Sequence, residues 1–440
     1  MRNASIFLGI LFFLLVGSST IIASDVLTME ESIRIALERG LSVKSAEEEI
    51  KAREFEERSS RADLFPKLST SYSYTRLDEE TVNNAKYVFD SREFSPLEEY
   101  SYEFNITGTQ PLFTGWALTT SRELASLGVD TAKVQKEITV QDLIFDVKGT
   151  YFEILKAKKL ENVAREAVEQ LKAHLRVSQA FYDEGIIAKN DLLETEVQMA
   201  EARQDLIRAT NRVEIAGSVF NKLLRRRLSK KILIKDILDY HPVRLTLDQC
   251  MERAELNRAE IKEVSLNIVS AEKGVEFSKS SYYPSVSLIG NYQRQTATEQ
   301  YIGKRDPDNW TITLEAEWNF WEWGKTKHEV ASARAKVAKA KYLLNEIKDN
   351  IQLEVKEAYL YLREAEKNIH VAKTAVVQAE ENFRMNEERY KQQVATSTDV
   401  LDAQTLLTRA RANYFNALSE HNIDWARLER AMGMGYEKGE

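Results

Sequence analysis

Residues 309–320, Asn309-Trp310-Thr311-Ile312-Thr313-Leu314-Glu315-Ala316-Glu317-Trp318-Asn319-Phe320, alternate strictly between a polar side chain and an apolar or aromatic one. Because successive side chains of a β-strand point to opposite faces, this alternation predicts a strand with one apolar and one polar face. A half-buried sheet in a soluble domain would show the same period. However, the stretch is about as long as a tilted strand that crosses a bilayer, aromatic residues lie near its ends, and its polar face carries Glu315 and Glu317. These features favour a membrane strand beside a watery lumen.

Three further stretches show the same alternation and complete a set of four strands. The predicted strand pairs are 66–76 with 102–113 and 284–294 with 309–321. Four strands cannot close a membrane barrel, because the smallest barrels have about eight and an open edge is not tolerated in lipid. The barrel must therefore be shared between subunits. The strand count permits two, three or more of them. The long polar connections at 77–101 and 295–308 are expected to be extracellular loops.

The strand pairs belong to a duplication of the whole chain. Leu27-Thr28-Met29-Glu30 returns as Leu245-Thr246-Leu247-Asp248, 218 positions later, and Tyr151 matches Tyr359 at an offset of 208. A repeat of this length exceeds the roughly 20–50 residues of solenoid units, so it indicates duplication of a complete module. Each copy is predicted to contain a helix, two strands, a very long helix, a short turn and another helix.

The helical segments form the second strong pattern. The segments 117–184 and 325–392 contain no proline and no turn cluster, and each would be about 100 Å long as a continuous helix. Apolar residues recur in them at spacings of three and four, which is typical of a coiled-coil stripe. The core face of an ordinary bundle is the alternative, but such bundles rarely need helices this long. The shorter predicted helices are 28–61, 190–224, 246–278 and 398–433. Two of these stacked end to end would match one long helix, which predicts the wall of an elongated tube.

The N-terminus and the composition limit the class of protein. Arg2, the apolar run Ile6–Val16 and small residues near Ala23 indicate a secretory signal peptide, since the run is shorter than the roughly 20 residues of a transmembrane anchor. The predicted segments are a signal peptide at 1–23, a first repeat at 24–224, a linker at 225–244, a second repeat at 245–433 and a tail at 434–440. The net charge of −8 argues against nucleic acid as a partner.

Enzymatic chemistry has little support in the sequence. The five histidines are isolated and lack metal-ligand spacing, and no nucleotide-binding loop or serine nucleophile motif is present. The single cysteine, Cys250, excludes an intrachain disulfide. We therefore expect a protein that is not an enzyme and has no catalytic residues, no metal site and no cofactor.

The duplicated plan resembles the outer membrane efflux proteins of the TolC type, and the resemblance covers essentially the whole mature chain. The motifs that carry it are the strand-to-helix junctions Gln110–Gly115 and Asn319–Lys325, the first hairpin tip Tyr182–Gly185 with Asn190–Leu193, and the second tip Tyr390–Gln393 with Thr398–Gln404. The resemblance implies a homotrimer with a twelve-stranded barrel in outer-membrane lipid and a twelve-helix tunnel in the periplasm.

In functional terms the resemblance implies the exit duct of a tripartite efflux or type I secretion system. Its partners would be a periplasmic adaptor and an inner-membrane pump, with the adaptor meeting the tips around Gly185 and Gln393. The competing interpretation is a periplasmic coiled-coil rod, structural or adaptor, without a pore. That alternative explains the helices but not four amphipathic strands with aromatic ends.

The resemblance also implies roles for four residues of the tips. Asp399 and Asp402 correspond to carboxylates that ring the periplasmic aperture, and their spacing places them on one helix face. Six carboxylates near a threefold axis would favour partial protonation and cation binding. Thr398 and Asp399 are also good capping residues for a helix N-terminus, so helix capping stays open as the alternative. Tyr390 and Asp191 are expected to form a hydroxyl–carboxylate bond that helps to hold the tips shut.

Two positions depart from the family pattern. Ala395 stands where some relatives have an arginine, and Gln393 replaces the glycine that the first tip retains as Gly185. The closed tip is therefore expected to use fewer ionic contacts.

Overall fold

The four long strands form one antiparallel sheet. The computed structural model describes residues 26–78, 99–296 and 309–434, so the predicted signal peptide, most of both predicted loops and residues 435–440 lie outside the described residues. The strands are β1 Val26–Leu27, β2 Lys67–Arg76, β3 Tyr100–Thr114, β4 Leu233–Ile234, β5 Ser285–Thr296 and β6 Asn309–Glu317. The sheet has the order β2-β3-β5-β6, which joins the two repeats through β3 and β5 and leaves β2 and β6 at its edges.

The strand register separates a polar face from an apolar one. Aligned across the four strands are Thr70, Ile106, Tyr292 and Trp310 on one face and Ser69, Thr107, Asn291 and Thr311 on the other. The polar face holds its own hydrogen bonds, because Asn105 Nδ2 and Gln293 Nε2 donate to the Glu103 carboxylate over 2.6 and 2.9 Å. A sheet with this division suits lipid on one side and a watery lumen on the other.

One strand is shorter than its sequence pattern predicts. Residues 309–321 were predicted as strand, but β6 ends at Glu317. In the first repeat, β3 continues to Thr114 because β5 pairs with it as far as Ser285. Residues 318–321 have no strand beside them in the single chain, because β5 begins at Ser285, which pairs with Glu317.

The helices form a long rod beneath the sheet. They are α1 Met29–Arg39, α2 Leu41–Ala62, α3 Ala117–Asp183, α4 Lys189–Leu223, α5 Leu247–Asn257, α6 Ala259–Lys279, α7 Lys325–Lys391 and α8 Ser397–Ala431. Helices α3 and α7 follow the sheet directly, and each is preceded by two residues with positive φ. These pairs are Gly115-Trp116 and Trp323-Gly324, and they turn the chain sharply from strand into helix. Among the described residues, no helix is both long and apolar enough to cross a membrane.

The helices predicted at 28–61 and 246–278 are each two helices, so the prediction of continuous segments was wrong. The first breaks at Gly40, where a Cβ atom would lie 2.5 Å from the Ala36 carbonyl oxygen and 2.9 Å from a Leu143 methyl group of α3. The second breaks at Arg258, whose buried guanidinium donates to Glu260 and to the Ala431 carbonyl oxygen. Tight packing against other helices, rather than proline, therefore sets both breaks.

The inter-repeat linker is packed against the middle of the rod. Strand β4 lies in the linker and pairs in parallel with β1. The fully buried Tyr151 hydroxyl of α3 lies 2.7 Å from the Lys235 carbonyl oxygen and 3.1 Å from that of Leu27. Burial raises the pKa of Tyr151 to about 12. We call β1, β4 and the Tyr151 contact the collar, because together they bind both chain segments to the midpoint of α3.

Candidate functional site at the hairpin tips

The two hairpin turns share one backbone conformation but differ in sequence. In the first turn, between α3 and α4, Gly185 has φ 74°, and in the second, between α7 and α8, Gln393 has φ 62°. The amide of Ile186 bonds the Phe181 carbonyl oxygen at 2.8 Å, and the amide of Val394 bonds that of Arg389 at 2.9 Å. Both are helix ends closed through a left-handed residue, which glycine adopts without the steric cost that glutamine bears.

Asp399 lies in the first turn of α8 and takes part in its capping box. Its carboxylate accepts hydrogen bonds from the backbone amide and the hydroxyl of Thr396, both at 2.8 Å, and Thr396 Oγ1 accepts the Asp399 amide at 3.2 Å. These bonds from Thr396 lower the pKa of Asp399. The helix-capping alternative therefore describes its contacts in the single chain, with Thr396 rather than Thr398 as the N-cap.

Asp402 follows one helical turn after Asp399. Both aspartates are exposed, whereas Ser397, Val400 and Leu401 on the other face of the same turn are buried. The start of α8 therefore has one face packed on its own hairpins and one acidic face that is open.

Tyr390 and Asp191 do not bond to each other within this chain, contrary to the prediction. The Tyr390 side chain is 3% exposed, and its hydroxyl lies 3.0 Å from Ser178 Oγ. The Asp191 carboxylate instead accepts the side-chain amide of Asn190 at 2.9 Å. The tyrosine thus holds the second hairpin to α3 through a hydroxyl pair.

A buried polar chain beside Tyr390 was missed by the sequence analysis. His174 Nε2 lies 2.9 Å from Ser397 Oγ, and Ser397 Oγ lies 3.0 Å from Thr195 Oγ1. Thr195 in turn donates to the Asp191 carbonyl oxygen at 3.0 Å. Since each hydroxyl has one proton, His174 is assigned as the donor to Ser397, in its neutral form with the proton on Nε2.

We call His174, Ser178, Thr195, Tyr390 and Ser397 the tip network. Its members come from α3, α4, α7 and α8, so it joins both hairpins of the chain. Burial lowers the pKa of His174 to about 4. The sequence could not reveal this histidine as a network member, because its partner Ser397 lies 223 positions away.

The acidic and histidine side chains of the tips do not gather into a metal site. In the ranges that the structure describes, no three His, Cys, Asp or Glu side chains converge as a metal site requires. The tips hold two helical hairpins together through buried hydroxyl and imidazole groups, with two exposed carboxylates beside this joint.

The family follows from comparison with known proteins. The model of the family described as outer membrane efflux protein matches residues 32–222 and 250–434, which is most of the chain. The chain belongs to the outer membrane efflux protein family. The predicted family is confirmed.

Relatives and solved structures agree over nearly the full length. The channel is 21% identical to the outer membrane protein TolC of Vibrio cholerae over 392 residues, which cover 85% of this chain and 83% of the relative. It resembles the Campylobacter jejuni CmeC outer membrane channel with a TM-score of 0.80 and 16% identity, over 94% of this chain and 87% of the other. For the open state of the Neisseria gonorrhoeae MtrE channel, the TM-score is 0.75 and the identity 18%, over 94% and 91% of the two chains.

Family membership sets the general activity. Members are homotrimeric outer-membrane efflux channels whose helical tunnels extend into the periplasm, where they work with adaptors and inner-membrane pumps. This protein is a channel of that kind, so the predicted fold class, location and partners are confirmed. The pore-free rod does not agree with the family. The family is one of transport channels rather than enzymes.

Proposed function

We propose that the hairpin tips form the gated, cation-selective periplasmic entrance of this exit duct, with Asp399 and Asp402 lining its aperture. The supporting observation is the exposed acidic face at the start of α8, opposite a buried face that fixes its direction. In a homotrimer this face occurs three times, which would bring six carboxylates towards one axis. Cation channels use such rings of acidic side chains for selectivity.

The carboxylate of Asp399 suits this role in its charged form. Its hydrogen bonds from Thr396 lower its pKa and fix its orientation at the helix N-terminus. Capping and aperture roles are therefore compatible in one residue, because the capping box leaves the carboxylate exposed. Repulsion between subunits would raise the pKa of the ring in the closed trimer relative to the single chain.

The lock that keeps the entrance shut would use the tip network. Tyr390 enters it through the Ser178 hydroxyl, and Asp191 enters it through its backbone carbonyl oxygen, which accepts Thr195. Both residues that the sequence pointed to therefore belong to one joint, although they do not bond to each other. Opening requires the two hairpins to part, which breaks the contacts between Ser397 and its two partners in α3 and α4.

The duct itself would be passive and carry no catalytic residues of its own. Energy for export would come from the inner-membrane pump, either in tripartite efflux or in type I secretion. The turns at Gly185 and Gln393 are exposed at the end of the rod. We therefore propose them as the places where the hairpins of the adaptor make contact.

The test is single-channel conductance of the detergent-purified trimer in planar bilayers. Asp399→Ala/Asp402→Ala should reduce cation selectivity. The control Glu346→Ala/Asp349→Ala removes the same charge, at the same spacing, from an exposed part of α7 far from the tip. Equal selectivity in both variants would keep the pore but place the constriction elsewhere. Failure of the folded oligomer to conduct ions in either form would contradict the proposed entrance.

A further inference from the structure

The duplication allows the boundary between subunits to be derived from a contact inside the chain. Strand β3 of the first repeat pairs with β5 of the second, and α3 packs on α6 at the same boundary. In the duplicated plan, β6 and α7 are the counterparts of β3 and α3, while β2 and α2 are the counterparts of β5 and α6. The open edge of β6 is therefore equivalent to the edge of β3 that pairs with β5. The open edge of β2 is equivalent to the edge of β5 that pairs with β3.

The equivalence holds at the level of single residues. β2 pairs Lys67 with Thr109, and β5 pairs Ser285 with Glu317. Lys67 and Ser285 differ by 218 positions, and Thr109 and Glu317 differ by 208, which are the two offsets of the sequence repeat. Both hairpins of the sheet thus have the same register.

Applying these offsets to the β3–β5 register gives the register of β6 against β2 of a second copy. The pair Ile106–Tyr292 becomes Leu314 with Tyr74 of the partner subunit. The pair Thr114–Ser285 becomes Glu322 with Lys67 of the partner subunit. The first pair joins two residues of the apolar face, and the second joins opposite charges.

Closure of the barrel in the homotrimer brings β6 beside β2 of the next subunit. For these two strands we propose the register derived above, with an ion pair between Glu322 and Lys67 of the partner subunit. The inference rests on the homotrimer and specifies the surface through which its copies meet. In the single chain, Lys67 Nζ contacts Asp63 at 2.8 Å, and Glu322 Oε1 lies 3.8 Å from Lys325 Nζ. Both groups therefore change partners, or share them, on assembly.

The early end of β6 supports this pairing. Residues 110–114 of β3 extend beyond the start of β2 and are strand through their pairing with β5. Their counterparts, residues 318–322, lack strand structure in the single chain. The register supplies the missing neighbour, so these five positions become strand in the trimer.

The same register gives contacts to exposed aromatic side chains at the junction between β6 and α7. In the first copy, Phe113 packs edge-on against Tyr283 at 6.5 Å between ring centroids, across the repeat boundary. The counterparts are Trp321 and Phe65, which are 69% and 56% exposed. Trp321, which packs against Trp323 of its own chain at 5.6 Å between ring centroids, would gain Phe65 of the partner subunit as a second aromatic neighbour.

The same offsets extend to the helical part. At the internal boundary, Lys273 of α6 forms an ion pair with Glu123 of α3 at 2.8 Å. The counterparts are Phe55 of α2 and Ala331 of α7, both exposed in the single chain. An ion pair within the subunit is thus replaced by an apolar contact between subunits, which buries the Phe55 ring.

Engineered disulfides test the register directly in the trimer assembled in outer membranes. Leu314→Cys with Tyr74→Cys places two thiols opposite each other and should give a covalent trimer on oxidation, seen in non-reducing gels. Each single variant and the parent chain, with only the buried Cys250, should stay uncrosslinked. Preferential crosslinking of Leu314→Cys with Tyr72→Cys would show a slip of two residues and overturn the register.

Charge exchange tests the ion pair. Glu322→Lys and Lys67→Glu should each lower the temperature at which the trimer dissociates by several degrees, and the double exchange should recover most of that loss. No recovery in the double exchange would overturn the ion pair. Native mass spectrometry of the parent chain separates the failures, because an intact trimer without crosslinks refutes the register, whereas a monomer refutes the assembly itself.

Discussion

The two hairpin tips come from one duplicated module, yet the second is capped and buried more completely within its own chain. The second tip has a capping box at Thr396 and a buried tyrosine, Tyr390. The first tip begins its returning helix at Ala188, which makes no side-chain cap bond, and the counterpart tyrosine, Tyr182, is only half-buried. In a ring of duplicated chains, contacts inside a subunit alternate with contacts between subunits. The difference indicates that a substitution can change the stability of the contacts within a subunit without changing that of the contacts between subunits.

The largest expected effect comes from acid acting on the second tip. His174 is neutral with its pKa held at about 4 by burial, against an ordinary value of 6.5 once the hairpins part. The closed joint is therefore fully stable above pH 6.5 and weakens as the pH falls towards about 4. The free energy that stabilises the closed joint can fall by at most about 3 kcal/mol per subunit, since each pKa unit corresponds to about 1.4 kcal/mol. Open probability in bilayers should rise as the pH is lowered from 7.5 to 4.5.

The environment of His174 makes this response specific. The groups that contact it are the Ser397 hydroxyl and the Tyr390 ring, with Ser178 and Thr195 one contact further away. His174→Gln should flatten the pH response while keeping a donor towards Ser397. The exposed His370→Gln serves as the matched control. An unchanged pH response in His174→Gln would contradict the assignment.

Removing the tyrosine hydroxyl from each tip compares how strongly the two tips are held closed. Tyr390→Phe breaks the 3.0 Å contact with Ser178 and leaves a buried hydroxyl without that partner. We expect a cost of about 1–2 kcal/mol to the closed joint and a larger mean conductance. Asp191→Ala should add little to this effect, because the oxygen that accepts from Thr195 is a backbone carbonyl that the substitution keeps. Tyr182→Phe is the control, because no hydrogen bond from its hydroxyl is found in the described part of the chain. An equal effect in both would show that Tyr182 has a partner across the subunit boundary.

The helix caps provide a smaller and more local comparison. Thr396→Ala should cost about 1 kcal/mol, because it removes the hydroxyl that accepts the Asp399 amide and donates to the Asp399 carboxylate, while the backbone amide of residue 396 remains as a donor. Amide hydrogen exchange at 397–400 should accelerate. The reverse change at the first tip, Ala188→Thr, should slow exchange at the start of α4. Identical exchange rates before and after both changes would refute the cap assignment.

The smallest effect is expected at the turn residues. Gln393→Gly removes a left-handed side chain and should stabilise the second turn by up to about 1 kcal/mol. Gly185→Gln should destabilise the first turn by a similar amount. Midpoints of urea unfolding would measure both changes. A loss of stability in Gln393→Gly would mean that the glutamine side chain makes a contact in the trimer that outweighs its backbone strain.

Local periodicity was sufficient to predict the strands and the long helices. The alternation around Trp310 and the apolar stripe through Tyr151 are each contained in a short window of sequence. The breaks at Gly40 and Arg258 were not predictable in this way, because each arises from packing against a different helix. Strand β4 pairs over two residues only, which is too short for any period to show.

The candidate site was predicted less completely than the fold. The family pattern located Asp399 and Tyr390, but it gave Tyr390 the wrong partner within the chain. The contact to Ser178 and the burial of His174 depend on how two hairpins pack, which one-dimensional spacing does not encode. Positions shared with relatives can be transferred, whereas contacts particular to this chain have to be observed.

The collar has a mechanical consequence for the tips. Because Tyr151 bonds the midpoint of α3 to Leu27 and Lys235, the part of α3 from there to Asp183 forms an arm about 48 Å long, at roughly 1.5 Å per residue. A pivot of only about 5° at the collar would move the end of that arm by about 4 Å, since displacement is the product of arm length and angle. Such a small rotation can be spread over several turns of helix without breaking any backbone hydrogen bond. If the tips form the proposed entrance, small rotations of this kind in three subunits would widen it without a dedicated hinge residue.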